Sequence, residues 1–164
     1  MKLLKPLAAL VSAITLSAAP AAAKIDAGTP ALLSSIQQYG VTVALNAPGC
    51  GGDYAGSFHT GTKVLTVCYS GRPTADDHDT VRHEAIHVAQ NCAAAKYGQP
   101  RGIRPILTGA ALNNFVRTHL SQEMIVWIKS TYPSQKHLTE LEAFAAAKAY
   151  TAAEVSHIVK TWCE

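Results

Sequence analysis

The spacing of apolar and polar positions divides the chain into a stranded first half and a helical second half. After the N-terminal residues, "PALLSSIQQ" reads as a short helix, with Thr29 as its cap, Pro30 at its first position and Gly40 able to end it. Two runs rich in β-branched residues, "VTVAL" and "KVLTVCY", predict strands, and the Gly-rich "NAPGCGGDYAGSFHTGT" joins them into a small sheet. Beyond "SGRPTADDHD" the period becomes helical. Asp77, Asp79 or Thr80 is expected to cap a helix running through "TVRHEAIHVAQNCAAAKYG". Prolines and glycines make "QPRGIRPILTG" a loop. Four further helical patterns follow: "AALNNFVRTHL", "SQEMIVWIKSTY", "LTELEAFAAAKAY" and "TAAEVSHIVKTWC", the last with Thr151 and Glu154 spaced as a capping box. The expected fold class is α+β, with a small N-terminal sheet, one long helix and a helical C-terminal half.

Composition adds a compartment to this picture. Lys2 and Lys5 precede the apolar "PLAALVSAITLSA", and "AAPAAA" places small residues at Ala21 and Ala23, the layout of a cleavable export signal over residues 1–23. The apolar run is shorter than the roughly 20 residues of a membrane-spanning helix. A single domain is therefore expected over residues 24–164, secreted or periplasmic, with no stable membrane span after signal removal. Cys50, Cys68, Cys92 and Cys163 all follow the signal, and an even count in an exported chain predicts two disulfides. Cys50 and Cys68 flank what reads as a hairpin and are the favoured pair, which leaves Cys92 to join the long helix to Cys163. No C-x-x-C spacing supports a four-cysteine zinc knuckle.

Charge excludes one class of partner. The chain has 14 Lys and Arg against 11 Asp and Glu, and its formal charge of +3 falls to about +1 without Lys2 and Lys5. Neither a basic stripe with interleaved aromatics nor a nucleic-acid motif is present, so nucleic acid is not an expected partner.

The long helix carries the candidate chemistry in "RHEAIHVAQNC". Residues four apart share a helix face, so His83 and His87 can present two imidazoles to one metal ion. Glu84 stands beside the first of them, within reach of a water on that metal. This is the H-E-x-x-H arrangement, in which the glutamate acts as general base. Val81, Ala85, Ile86, Val88 and Ala89 mark the same helix as partly buried, where two histidines and a glutamate need a reason. A catalytic zinc ion takes three protein ligands and leaves one position open. "VAQNCAAAKYG" offers no third ligand at H-x-x-G-x-x-H spacing, so the ligand must come from further along. "TELEAFAAAKAY" supplies two acids, Glu140 and Glu142, in an Ala-rich helix.

With these two motifs the chain resembles the zincin metallopeptidases of the gluzincin type, in which H-E-x-x-H is followed by a glutamate on a second helix. "EAFA" is similar to the second motif of several such peptidases, and "ELEA" fits another form of it. The resemblance covers roughly residues 79–92 and 138–150. It implies a zincin-like fold and a zinc cofactor held by His83, His87 and a glutamate. Glu140 and Glu142 point to nearly opposite sides of a helix, so only one can be the ligand. Glu142, with Ala145, Ala146 and Ala149 along its face, is preferred; Glu140 is the alternate.

The expected function is that of a secreted zinc metallopeptidase acting on peptide or protein substrates through a zinc-bound water, with Glu84 as general base. Tyr132 is a candidate oxyanion donor, and His119, His137 and Tyr150 are further ones that no spacing singles out. An exposed edge on "KVLTVCY" would bind an extended peptide by strand addition. Two other readings compete. One is a secreted zincin-like zinc-binding protein without efficient turnover; the other is a disulfide-stapled domain with no metal, which gives Glu84 no purpose.

Overall fold

The computed structural model describes residues 28–51, 55–69 and 73–164, and the expected export signal lies outside the described residues. In chain order it contains α1 (Thr29–Gln37), β1 (Thr42–Leu45), β2 (Gly56–His59), β3 (Val64–Val67), α2 (Ala75–Lys96), α3 (Gly109–His119), α4 (Gln122–Thr131), a 3-10 turn (Ser134–Lys136), α5 (His137–Ala149) and α6 (Ala152–Cys163). The protein is mixed α+β and mostly helical, as its sequence pattern predicts.

Among the described residues the sheet has three strands in the order β1-β3-β2. β1 pairs with β3 in parallel, with Thr42 opposite Val64. β2 pairs with β3 antiparallel, with Gly56 opposite Val67. Strand β2 comes from the Gly-rich segment expected to be a connection only. "GSFH" is too short to register against its glycine-rich flanks, and pairing with β3 decides its state. β3 is consequently the central strand, so the expectation that "KVLTVCY" offers an exposed edge is corrected: the edges belong to β1 and β2. Cys50 and Cys68 close the β2–β3 hairpin from outside, and Cys92 joins α2 to Cys163 at the end of α6, the two favoured pairings.

Two helix starts differ from expectation. α2 begins earlier, at Thr74, whose hydroxyl accepts from the N–H of Asp77 while the Asp77 carboxylate accepts from the N–H of Thr74. This reciprocal cap leaves Asp77 inside the first turn and Asp79 free for other work. Thr29 does not cap α1. It is already helical, and its hydroxyl meets Nδ1 of buried His78 at 2.7 Å. The Thr151–Glu154 box at the start of α6 forms as its spacing predicts.

α2 is the axis of the molecule. Its buried residues Val81, Ala85, Ile86, Val88 and Ala89 pack with Leu65 and Val67 of β3, Ala143 and Ala146 of α5, Val155 and Val159 of α6, and Leu32 and Ile36 of α1. A second apolar cluster, built on Leu112, Val116, Ile125, Ile128 and Leu141, joins α3, α4 and α5. α2 thus has neighbours on most of its circumference. Its polar residues from Arg82 to Asn91 are buried with the apolar ones and must find partners inside.

Candidate metal centre

His83 and His87 lie one turn apart on α2 and turn the same edge toward α5. Their Nε2 atoms are 3.0 Å apart, and Oε2 of Glu140 lies 3.3 Å from the first and 3.4 Å from the second. All three side chains are buried, and they form the only group of this kind among the described residues. Ala143 and Ala146 on α5 let the two helices approach closely enough for this convergence.

The three atoms form a nearly equilateral triangle. A tetrahedral ion with bonds of about 2.0–2.1 Å sets its ligand atoms about 3.3–3.4 Å apart, so the observed edges match three corners of such a site. The donor set, two imidazole nitrogens and a carboxylate oxygen, suits a borderline divalent ion. Oε2 of Glu140, one corner of the triangle, and Oε2 of Glu84 are buried without a hydrogen-bond partner among the described residues. Such orphans are costly unless something else satisfies them. The residues therefore fit a bound metal ion.

Glu140, not the preferred Glu142, completes the triangle. The carboxylate of Glu142 is turned away and accepts from the backbone N–H of Ile106 at 2.8 Å, that of Leu107 at 2.6 Å and Nε2 of Gln90 at 2.8 Å. Sequence placed the two glutamates on opposite sides of a helix correctly. It left open which side faces α2, because both sides of α5 are buried.

Charge in the cluster is arranged for a cation. Burial raises the carboxyl of Glu140, but the imidazoles of His83 and His87 that face it outweigh this and hold it down at about 2. Burial opposes a charge on His87, yet Glu140 and Glu84 beside it push it up to about 9. Burial also pushes the Glu142 carboxyl up, against the pull of its three donors.

Glu84 lines both clefts that open onto the cluster. The smaller, about 160 Å³, has Gly56, Ser57 and Phe58 of β2 on one side and Glu140 and Tyr132 on the other. The larger, about 360 Å³, continues past His83 between Met124, Trp127, Tyr132 and Phe144. Phe144 packs its ring 4.3 Å from that of His83, and Trp127 meets Phe144 edge-on at 5.7 Å. These aromatics come from α4 and α5, and no motif in the sequence announces them.

Of the oxyanion-donor candidates, only Tyr132 lines the clefts. Burial, then the nearby charges of Glu140 and Glu84, push its hydroxyl up to about 12, so it stays protonated. His137 donates or accepts through Nε2 at the carbonyl of Tyr132, Tyr150 stacks on Phe115, and His119 is exposed beside the same ring. Asp79 holds neither a cap nor a histidine; it pairs with Arg82 and Lys148. Gln90, absent from every sequence motif, bonds to His87. No protein-family model, curated protein or solved structure matches this chain.

Proposed function

We propose that this protein is a zinc-dependent peptidase that acts outside the cytoplasm. The observation that carries the reading is the convergence of His83, His87 and Glu140 with Glu84 on the same helix, its Oε2 buried and unpartnered beside an open cleft. A purely metal-binding site would need no second carboxylate there and no cleft leading to it. The two disulfides suit an oxidising compartment. Among the described residues no helix is long and apolar enough to cross a membrane.

His83, His87 and Glu140 would hold the ion. When bound, zinc acidifies water and polarises a carbonyl oxygen. Glu84 takes one proton from the attacking water as the C–O bond forms and passes it to the leaving amine as the C–N bond breaks. Tyr132, protonated and on the opposite wall, donates to the oxygen that gains charge. β2 has β3 on one side and no described strand on the other, and it borders the same cleft. An extended peptide laid along that edge would be carried past Glu84. The larger cleft falls in the lower range of ligand-pocket volumes and its aromatic wall suits a bulky apolar side chain of that peptide.

Zinc content of the oxidised protein and hydrolysis of a peptide library test the proposal. The expected result is about one zinc per chain in the wild type and in Glu84→Gln, with hydrolysis reduced about 10²–10⁴-fold in the variant. Folded protein that takes up no zinc, or a Glu84→Gln variant as active as wild type, would refute it.

A further inference from the structure

Gln90 is wholly buried on α2, one turn beyond His87, and belongs neither to the metal triangle nor to the proton transfers of Glu84. Its amide nitrogen donates to the carbonyl of Thr139 at 3.0 Å and to Oε2 of Glu142 at 2.8 Å. Its amide oxygen lies 2.7 Å from Nδ1 of His87. Turning the amide over would set its oxygen against the Thr139 carbonyl, which can only accept. That backbone group fixes the orientation whatever the protonation of Glu142.

The consequence reaches the metal triangle. An amide oxygen only accepts, so Nδ1 of His87 must carry the hydrogen. In the neutral ring Nε2 then keeps its lone pair, and Nε2 is the atom that faces His83 and Glu140. We infer that Gln90 is the positioning residue of the metal centre, selecting the Nδ1–H tautomer of His87 and holding the ring so that Nε2 meets the ion. Glu142 is its anchor. By gripping Gln90 and the N–H groups of Ile106 and Leu107 together, it ties α2, α5 and the segment before α3 behind one metal ligand. His83 has no such support on Nδ1 and is held by the Phe144 ring.

The inference rests on the zinc-site reading, and the test separates the two. Zinc affinity is measured by competition with a chromophoric chelator for the wild type and Gln90→Met, each checked for native circular dichroism. Losing a partner of a metal-ligating histidine weakens binding about 10–100-fold, and that loss is expected for Gln90→Met. Nitrogen-15 spectra of the zinc-free wild type, recorded at a pH high enough for the ring to be neutral, give a readout independent of any variant's folding: the His87 ring should carry its proton on Nδ1.

A folded Gln90→Met that binds zinc within about twofold of wild type, or a neutral His87 protonated on Nε2, would overturn the positioning role and leave the zinc site standing. A wild type that binds no zinc would overturn both.

Discussion

Glu140 and Glu142 are the same residue type, stand two residues apart and are both buried, yet their carboxyl groups face different partners. Glu140 faces two imidazoles that can share a cation with it, whereas Glu142 faces three N–H donors that consume its lone pairs. Their removal should therefore separate binding from stability. Glu140→Ala is expected to abolish stoichiometric zinc uptake. Glu142→Ala should still take up zinc at stoichiometric concentration, because the Thr139 carbonyl continues to orient Gln90. It should lose about 1–3 kcal/mol of folding stability for each buried donor left without an acceptor. Elemental analysis and denaturant unfolding of the two variants check this. The side of α5 that faces α2 was not legible beforehand, since a helix buried on both faces has no polar stripe to orient it.

At the scale of elements, the cleft depends on how closely β2 approaches α2. Gly56 is the contact point. A Cβ there would lie 2.8 Å from the backbone oxygen of Thr66, 2.9 Å from Cγ2 of Thr80 and 3.5 Å from Cγ of Glu84. Gly56→Ala must move the strand away from β3 or from the helix, with an expected loss of about 1–3 kcal/mol in thermal or denaturant unfolding. Retention of wild-type stability would show that β2 can shift without consequence. The long helix could be read from sequence because its histidines, glutamate and apolar residues extend over several turns. β2 could not, because four residues flanked by glycines become a strand only through the partner they find. The start of α2 was misplaced for a related reason. Thr74 and three aspartates lie close together in "TADDHD", and only the chain's path decides which of them caps.

For the whole molecule, the two disulfides constrain different spans. Cys50–Cys68 closes 18 residues around the β2–β3 hairpin, and Cys92–Cys163 closes 71 and joins the axial helix to the C-terminal one. In the chain-entropy picture their loss costs about 3 and about 4 kcal/mol respectively. Paired serine substitutions should lower the unfolding midpoint in both cases, and more for Cys92 with Cys163. The opposite ranking would mean that the hairpin staple holds the cleft wall more firmly than entropy alone requires.

Sequence by itself determined the helical and stranded halves and the presence of His83, Glu84 and His87 on one helix, and it favoured the cysteine pairing that the structure shows. These follow from local periodicity, short-range spacing and the chemistry of residue types. Only tertiary structure decided that Glu140 faces the histidines and Glu142 the loop, and that β2, not β3, borders the cleft. It alone placed the Phe144 and Trp127 rings beside His83 and gave Gln90 its hold on His87. Each of these depends on the rotation of one buried element against another, which no single stretch of chain encodes.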